Sequence, residues 1–292
     1  MKEKVNVARL SVVSNTFLII IKLAVGTVSG SVSIISEAIH SAMDLVAAII
    51  AFFAVRVSDN PPDTRHPYGH GKYENISGVT EALLIFVAAI WIIYEAIKKL
   101  IGGSSELEVV GLGIIVMSVS ATVNFFVSRK LYKVAHETNS VALEADALHL
   151  MTDVYTSAGV AAGLILIFLT GITWLDPLVA ILVALLILRE SWHLLKKAFT
   201  PLIDTAWAEK EIRVLRDKLD AMDVRYHDLR TRVAGNYRFI DVHVEVPEKE
   251  SVGDAHRYCD MIEEELMKDY QNLTVTIHLE PIGTISTESP SS

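Results

Sequence analysis

The sequence predicts an α-helical membrane protein, with six transmembrane helices followed by a small α/β cytosolic domain. Three observations carry that expectation. Of the 292 residues, 51% are hydrophobic and 21% charged, and a mean hydropathy of +0.40 is too high for an ordinary soluble domain of this length. Apolar stretches of bilayer length recur through the first two thirds of the chain. Near residue 204 they give way to mixed segments with the periodicities of soluble helices and strands.

The apolar stretches lie at about 8–28, 32–56, 75–97, 107–128, 141–169 and 174–195. At ~1.5 Å per residue each crosses a hydrocarbon core of ~30 Å. The first contains Asn15 and Lys22 and lacks a small-residue cleavage site, so it reads as a span and not a removable signal peptide. Lys2, Lys4 and Arg9, then Arg56, Arg65 and Lys72, then Arg129, Lys130 and Lys133, then Lys196 and Lys197 fall on one side. By the positive-inside rule that side is the cytosol, with both termini on it.

From Ala206 the pattern changes. Residues 206–221 and 251–269 have helical periodicity, while 225–233, 237–246 and 272–279 alternate like strands, the first two around Gly235-Asn236. The order αββαβ predicts a two-layer domain with helices on one sheet face. The expected organisation is a transport domain over 1–204, a cytosolic metal-binding dimerisation domain over 205–282 and a disordered tail over 283–292, rich in Ser, Thr and Pro.

Composition removes several function classes. A net charge of -9 argues against a nucleic-acid partner, because phosphate binding needs a basic face. The single cysteine, Cys259, permits neither an internal disulfide nor a CxxC centre. HExxH is absent.

One internal echo carries chemistry. Ala38-Ile39-His40-Ser41-Ala42-Met43-Asp44 and Ala147-Leu148-His149-Leu150-Met151-Thr152-Asp153 are both A-[IL]-H-x-x-x-D, in an even- and an odd-numbered span that run antiparallel. Residues i and i+4 share a helix face. His40, Asp44, His149 and Asp153 therefore supply two imidazoles and two carboxylates, a set suited to tetrahedral Zn²⁺. An Asp in the hydrocarbon costs roughly +2.5 to 3.5 kcal/mol, so such groups persist mostly on ion or proton paths. Four protein ligands leave no open position for hydrolysis, which argues for a carrier and against an enzyme. Protons compete with metal for the imidazoles, so metal release and proton uptake are linked. Asn15, Lys22, Glu81, Glu95, Asn124 and Asp176 read as helix contacts or span ends, and Glu37, Glu144 and Asp146 as neighbours of the ligand set.

Two further sets lie outside the spans. Asp63, His66 and His70 occupy a loop stiffened by Pro61, Pro62 and Pro67 and able to turn at Gly69 and Gly71. His227, His243 and His278 lie on three predicted strands, Glu280 follows the last, and His256 starts a helix. Eight of the ten histidines fall in these three sets, leaving His136 and His193.

At these residues the chain resembles the cation diffusion facilitator family. The resemblance covers nearly the whole length: six spans, the HxxxD pairs, the loop Asp63-x-x-His66-x-x-x-His70-Gly71-Lys72, and the segments His227 to Arg232, Phe239 to Val246 and Thr276 to Pro281. It implies a homodimeric divalent-metal/proton antiporter in a bacterial cytoplasmic (inner) membrane, exporting metal from the cytosol by alternating access. It also implies a copper-chaperone-like cytosolic domain that dimerises on metal binding. Carried over, His40, Asp44, His149 and Asp153 form the transport site, Asp63, His66 and His70 a loop site, and His227, His243, His256, His278 and Glu280 a binuclear dimer site, with Zn²⁺ as both substrate and structural or regulatory ion. Lys72 and Asp204 resemble an inter-subunit charge interlock. The chain departs from the family pattern at His40, where Asp is usual in the iron and zinc branch, and at Leu279 and Glu280, where a polar residue and Asp are common. One carboxylate fewer suits Zn²⁺ or Co²⁺ better than Mn²⁺ or Fe²⁺. Co²⁺, Cd²⁺ or Fe²⁺ as main substrate, or a membrane-anchored metal sensor, remain the alternatives.

Overall fold

The computed structural model describes residues 2–29, 32–102, 111–170, 174–270 and 272–283. The expected tail from 284 onward lies outside the described residues. The chain divides into two compact units, Met1–Phe199 and Thr200–Ser292.

The first unit is a bundle of six long helices: α1 (Lys2–Ser29), α2 (Val32–Ser58), α3 (Lys72–Gly102), α4 (Gly111–Thr138), α5 (Val141–Thr170) and α6 (Leu175–Phe199). They follow the six predicted spans, and several run further at the predicted cytosolic end, as α1 does to Lys2 and α4 to Thr138. By length and composition, three described segments can cross a membrane: Lys2–Val28, Lys72–Lys98 and Pro177–Ile203.

The bundle is apolar outside and carries a polar seam inside, between clusters of buried Val, Leu and Ala. Along α1, Lys4, Ala8, Ser11, Asn15, Leu18 and Lys22 recur at intervals of three and four and are all buried, whereas Val13, Phe17 and Ile20 are more than half exposed. Such a helix is stable only where the exposed face meets lipid and the inner face finds polar partners. Those partners are other helices: Ser128 Oγ donates to the Ala147 carbonyl at 2.7 Å, Ser191 Oγ to that of Ala82 at 2.6 Å and Asn75 Nδ2 to that of Ala198 at 3.3 Å. Small residues let backbones approach. A Cβ on Gly78 of α3 would lie 2.8 Å from Val141 Cγ1 and 3.1 Å from Ala198 Cβ, so α3 meets both α5 and α6 there. Asn139, at φ 51°, ends α4 in the left-handed conformation.

In the second unit, a short 3-10 turn (Thr200–Ile203) precedes α7 (Glu209–Ala221), β1 (Tyr226–Ala234), β2 (Tyr237–Val246), α8 (Val252–Met267) and β3 (Leu273–Pro281). The sheet order is β1-β2-β3. The β1/β2 pair is an antiparallel hairpin turning at Gly235, whose φ of 60° favours glycine. β2 and β3 are parallel, joined through α8. Ile240, Val242 and Val244 of β2 pack with Leu215 and Leu219 of α7 and Ile262 and Leu266 of α8, so both helices cover one face. Ser251 caps α8, its hydroxyl accepting from the Asp254 N–H at 3.1 Å.

Simple alternation fails in β1. The register slips between His227 and Arg230, where the pairing changes from His227↔His243 to Arg230↔Asp241, and Asp228 takes φ 50°. This is a β-bulge, one extra residue on β1. It lets both Tyr226 and Leu229 pack on the core although they stand three apart.

Candidate metal centres

The helical HxxxD pair on α5 meets its counterpart on α2. His149 Nε2 lies 3.1 Å from Asp44 Oδ1, with side chains 15% and 6% exposed. The two ligand types therefore face each other across antiparallel helices, where imidazole nitrogen and carboxylate oxygen can share a cation. Asp153 lies one turn further along α5 and is held from α4 by Asn124, whose Nδ2 donates to Asp153 Oδ2 at 3.2 Å. His40 lies on α2 one turn before Asp44, but its side chain lies outside the described residues.

Around this pair are polar groups that the sequence offered as helix contacts or as neighbours of the ligand set. Asp146 of α5, three residues before His149, and Glu81 of α3 are both fully buried. Ser11 Oγ donates to Asp146 Oδ1 at 3.1 Å and Ser77 Oγ to Glu81 Oε1 at 3.0 Å. Ser41, next to His40 in sequence, accepts from Lys22 Nζ at 2.7 Å. Asn124 was legible as an intramembrane polar residue and Asp146 as a neighbour of the ligand set, but only tertiary packing brings Asn124 to Asp153 and Ser11 to Asp146. Glu144, another neighbour of the motif, instead pairs with Lys197 at 2.5 Å.

The loop set converges as its spacing suggested. Asp63 Oδ1 accepts the backbone N–H groups of Arg65 at 2.8 Å and His66 at 2.6 Å, which folds the loop over the carboxylate. Asp63 Oδ1 is 3.3 Å from His66 Nδ1, Asp63 Oδ2 is 3.4 Å from His70 Nε2, and the imidazole centroids are 4.4 Å apart. One ligand atom from each residue fits within 4.8 Å, the spacing of a shared ion. His70 Nδ1 lies 3.4 Å from the Asn60 carbonyl; donation there leaves Nε2 with its lone pair toward the site. The His66 backbone N–H, more than any other group, holds the Asp63 carboxyl below its ordinary pKa, so it is an anion ready to ligate.

In the second unit, a row of imidazoles crosses all three strands. His227 pairs with His243, and His243 with His278, in register. Their ring centroids are 5.2 Å and 4.7 Å apart. Glu280 binds two of them, Oε1 lying 3.0 Å from His243 Nδ1 and Oε2 3.2 Å from His227 Nε2. His227, His243 and Glu280 form a second group with ligand atoms within 4.8 Å. His278 Nε2 is 3.5 Å from Glu280 Oε1, on a side chain 64% exposed. His256 is not gathered into this row: on α8 its acidic neighbour is Asp260, at 3.9 Å, and its side chain is 76% exposed. Glu245, 3.6 Å from His227 Nδ1, and Asp228, 3.7 Å from His243 Nε2, join the cluster without having been singled out in the sequence. Glu245 was legible by alternation from His243; Asp228 was not, because the bulge places it.

Residues 8–203 match the family model described as cation efflux transmembrane domain, and residues 210–282 that of the cation efflux protein cytoplasmic domain. The chain belongs to the cation diffusion facilitator family. A transporter of Synechocystis sp. named as uncharacterised is 37% identical over 265 residues, 90% of this chain and 85% of its own length. The cation-efflux pump FieF of Shewanella oneidensis is 31% identical over 278 residues, 94% and 93% of the two chains. The metal-bound C-terminal domain of the CzcD transporter from Thermotoga maritima is 32% identical over 27% of this chain and 99% of that one, at a TM-score of 0.25. As a cation diffusion facilitator, the chain is an integral membrane protein of divalent metal cation efflux. Six transmembrane helices followed by a small α/β domain are its architecture.

Proposed function

We infer that this cation diffusion facilitator is a homodimeric Zn²⁺/proton antiporter of the bacterial inner membrane, exporting the metal from the cytosol with both termini on that side. The observation that carries this reading is the 3.1 Å approach of His149 Nε2 to Asp44 Oδ1 between α2 and α5. A buried imidazole and carboxylate on two helices can trade a dication for a proton: the imidazole binds metal only when neutral. With His40 and Asp153 the donor set is two nitrogens and two carboxylates, which favours Zn²⁺ over the oxygen-preferring Mn²⁺ and Mg²⁺. The loop trio and the His227–His243–Glu280 row are read as accessory sites that sense metal on the cytosolic side, the row tightening the dimer when filled. His278 and Glu245 border that row, and His256 would complete it only from elsewhere than its own sheet face.

The deciding experiment is uptake of Zn²⁺, Co²⁺, Cd²⁺ and Fe²⁺ into inside-out vesicles carrying a pH dye. Zn²⁺ uptake should alkalinise the lumen in step with metal flux, because protons leave as metal enters, and Asp153→Ala should abolish both. His40→Asp should raise Fe²⁺ or Cd²⁺ uptake relative to Zn²⁺. Transport unaffected by Asp153→Ala would overturn the assignment and favour a membrane-anchored sensor built on the cytosolic histidines.

A further inference from the structure

One end of the bundle, beside the Asp63–His66–His70 loop, holds a buried ionic knot. Lys4 Nζ lies 2.5 Å from Glu74 Oε1 and 3.1 Å from Asp59 Oδ1, and the side chains of Lys4 and Glu74 are 4% and 2% exposed. Ser58 Oγ donates to Glu74 Oε1 at 2.8 Å and Ser140 Oγ to Glu74 Oε2 at 2.5 Å. The contributors are the first turn of α1, the last residue of α2 and the one after it, the first turn of α3 and the residue preceding α5. Glu74 thus ties four helices together at one end.

The charges are arranged for mutual dependence. A cation at a helix N-terminus and an anion at a C-terminus each oppose the helix dipole, which is the situation of Lys4 on α1 and of Asp59 after α2. Each is offset by the other. One ammonium faces two carboxylates, and Asp59 Oδ2 is buried without a hydrogen-bond partner. A buried ion pair gains little net free energy, because desolvation nearly cancels the attraction, so a network of this kind holds while shut and is readily released once water enters. That is the character of a bistable element more than of permanent glue.

Its position gives it a task. Behind it along α5 come a second polar tie, Ser11 to Asp146, and then the Asp44–His149 pair. We propose that the Lys4–Glu74–Asp59 knot is the inner latch of the transport cycle, which must part before cytosolic metal reaches Asp44 and His149, with Glu74 as its positioning residue. The proposal rests on the transport reading and on its orientation.

In a Cys259→Ser background, Ala142→Cys puts a reporter thiol at a fully buried position two residues past Ser140. Labelling the full-length protein in inside-out vesicles with a membrane-impermeant maleimide then reads the opening of this end. Lys4→Met and Glu74→Gln should each speed labelling about tenfold, and the double variant no further than either alone, since both remove one shared interaction. Lys2→Met, at an exposed site, should leave it unchanged. Unchanged labelling in both latch variants overturns the proposal. A misassembled variant would also label fast, so a second arm joins Lys4→Cys to Glu74→Cys with a short bis-methanethiosulfonate. Zn²⁺ uptake should stop and return with dithiothreitol; uptake that continues through the bridge overturns the latch. If the unsubstituted protein takes up no divalent cation, the transport reading fails instead, and the labelling arm alone judges the latch.

Discussion

Gly78 shows how closely single atoms are fitted where α3 crosses α5 and α6. Because an added Cβ would stand 2.8 Å from Val141 Cγ1, the helices must separate or Val141 must turn. Gly78→Ala is expected to destabilise the bundle by about 1–3 kcal/mol, the usual cost of overpacking. A thermal melt in detergent checks this, and Val141→Ala in the same chain should restore most of the loss. At this scale the sequence was informative where a side chain carries its own chemistry: His149, Asp44, Asp63 and His243 were legible from type and spacing. Asn124, Ser11 and Ser77 were not, since a hydroxyl or amide inside a span has the same appearance whether it packs a helix or steadies a ligand. Asn124 and Ser11 owe their roles to the helix that faces them, and Ser77 to Glu81 one turn along its own helix.

Among elements, one lysine ties the polar edge of the contact between α7 and α8. Lys218 Nζ bonds Asp269 Oδ2 at 2.5 Å and the Glu265 carbonyl at 2.7 Å. The bond to Asp269 is the leading cause that raises the lysine above its ordinary pKa. A raised lysine contributes stability that is complete below its unfolded pKa and disappears as pH rises through the folded value. Lys218→Met should therefore cost about 1 kcal/mol at neutral pH, a partly exposed pair being worth no more. The deficit should shrink in strongly alkaline buffer, as urea titrations at pH 7 and above pH 11 would show; an equal deficit at both would mean that the lysine's stem, not its charge, is what matters. The two helices and three strands of this unit were legible from their periodicities, because a half-buried helix or strand shows its covered face, although the bulge in β1 breaks the alternation at Asp228. The six long helices were legible by length, yet their inner faces were not: in lipid the apolar face points outward, so hydropathy alone hides the polar seam that α1 turns inward.

For the whole molecule, the cytosolic imidazole row makes a measurable statement about assembly. If metal on His227, His243 and Glu280 draws two copies together, spin labels on the second unit of each copy should move apart on chelation and return with Zn²⁺. Glu280→Gln should reduce the Zn²⁺ affinity of that response by at least about tenfold, since the carboxylate binds both imidazoles. A distance that ignores both chelator and substitution would separate the row from dimerisation. The order of units and the convergence of Asp63, His66 and His70 were legible in the chain because both are local in sequence. The tie from Lys4 to Glu74 was not, because it joins residues 70 positions apart.

The extra residue in β1 has a consequence for how this protein can change. Tyr226 and Leu229 need the oily side of the sheet while His227 and Arg230 need the wet one; at a spacing of three strict alternation serves neither pair, and Asp228 bulges out to absorb the surplus residue. Deleting Asp228 would bring each pair to a spacing of two and return the strand to plain alternation with Tyr226 and Leu229 still inward; what would go is the carboxylate that the bulge sets 3.7 Å from His243 Nε2. Register there survives the loss of a residue, so lineages of this domain that lack position 228 should keep the fold and forgo that acidic neighbour of the imidazoles.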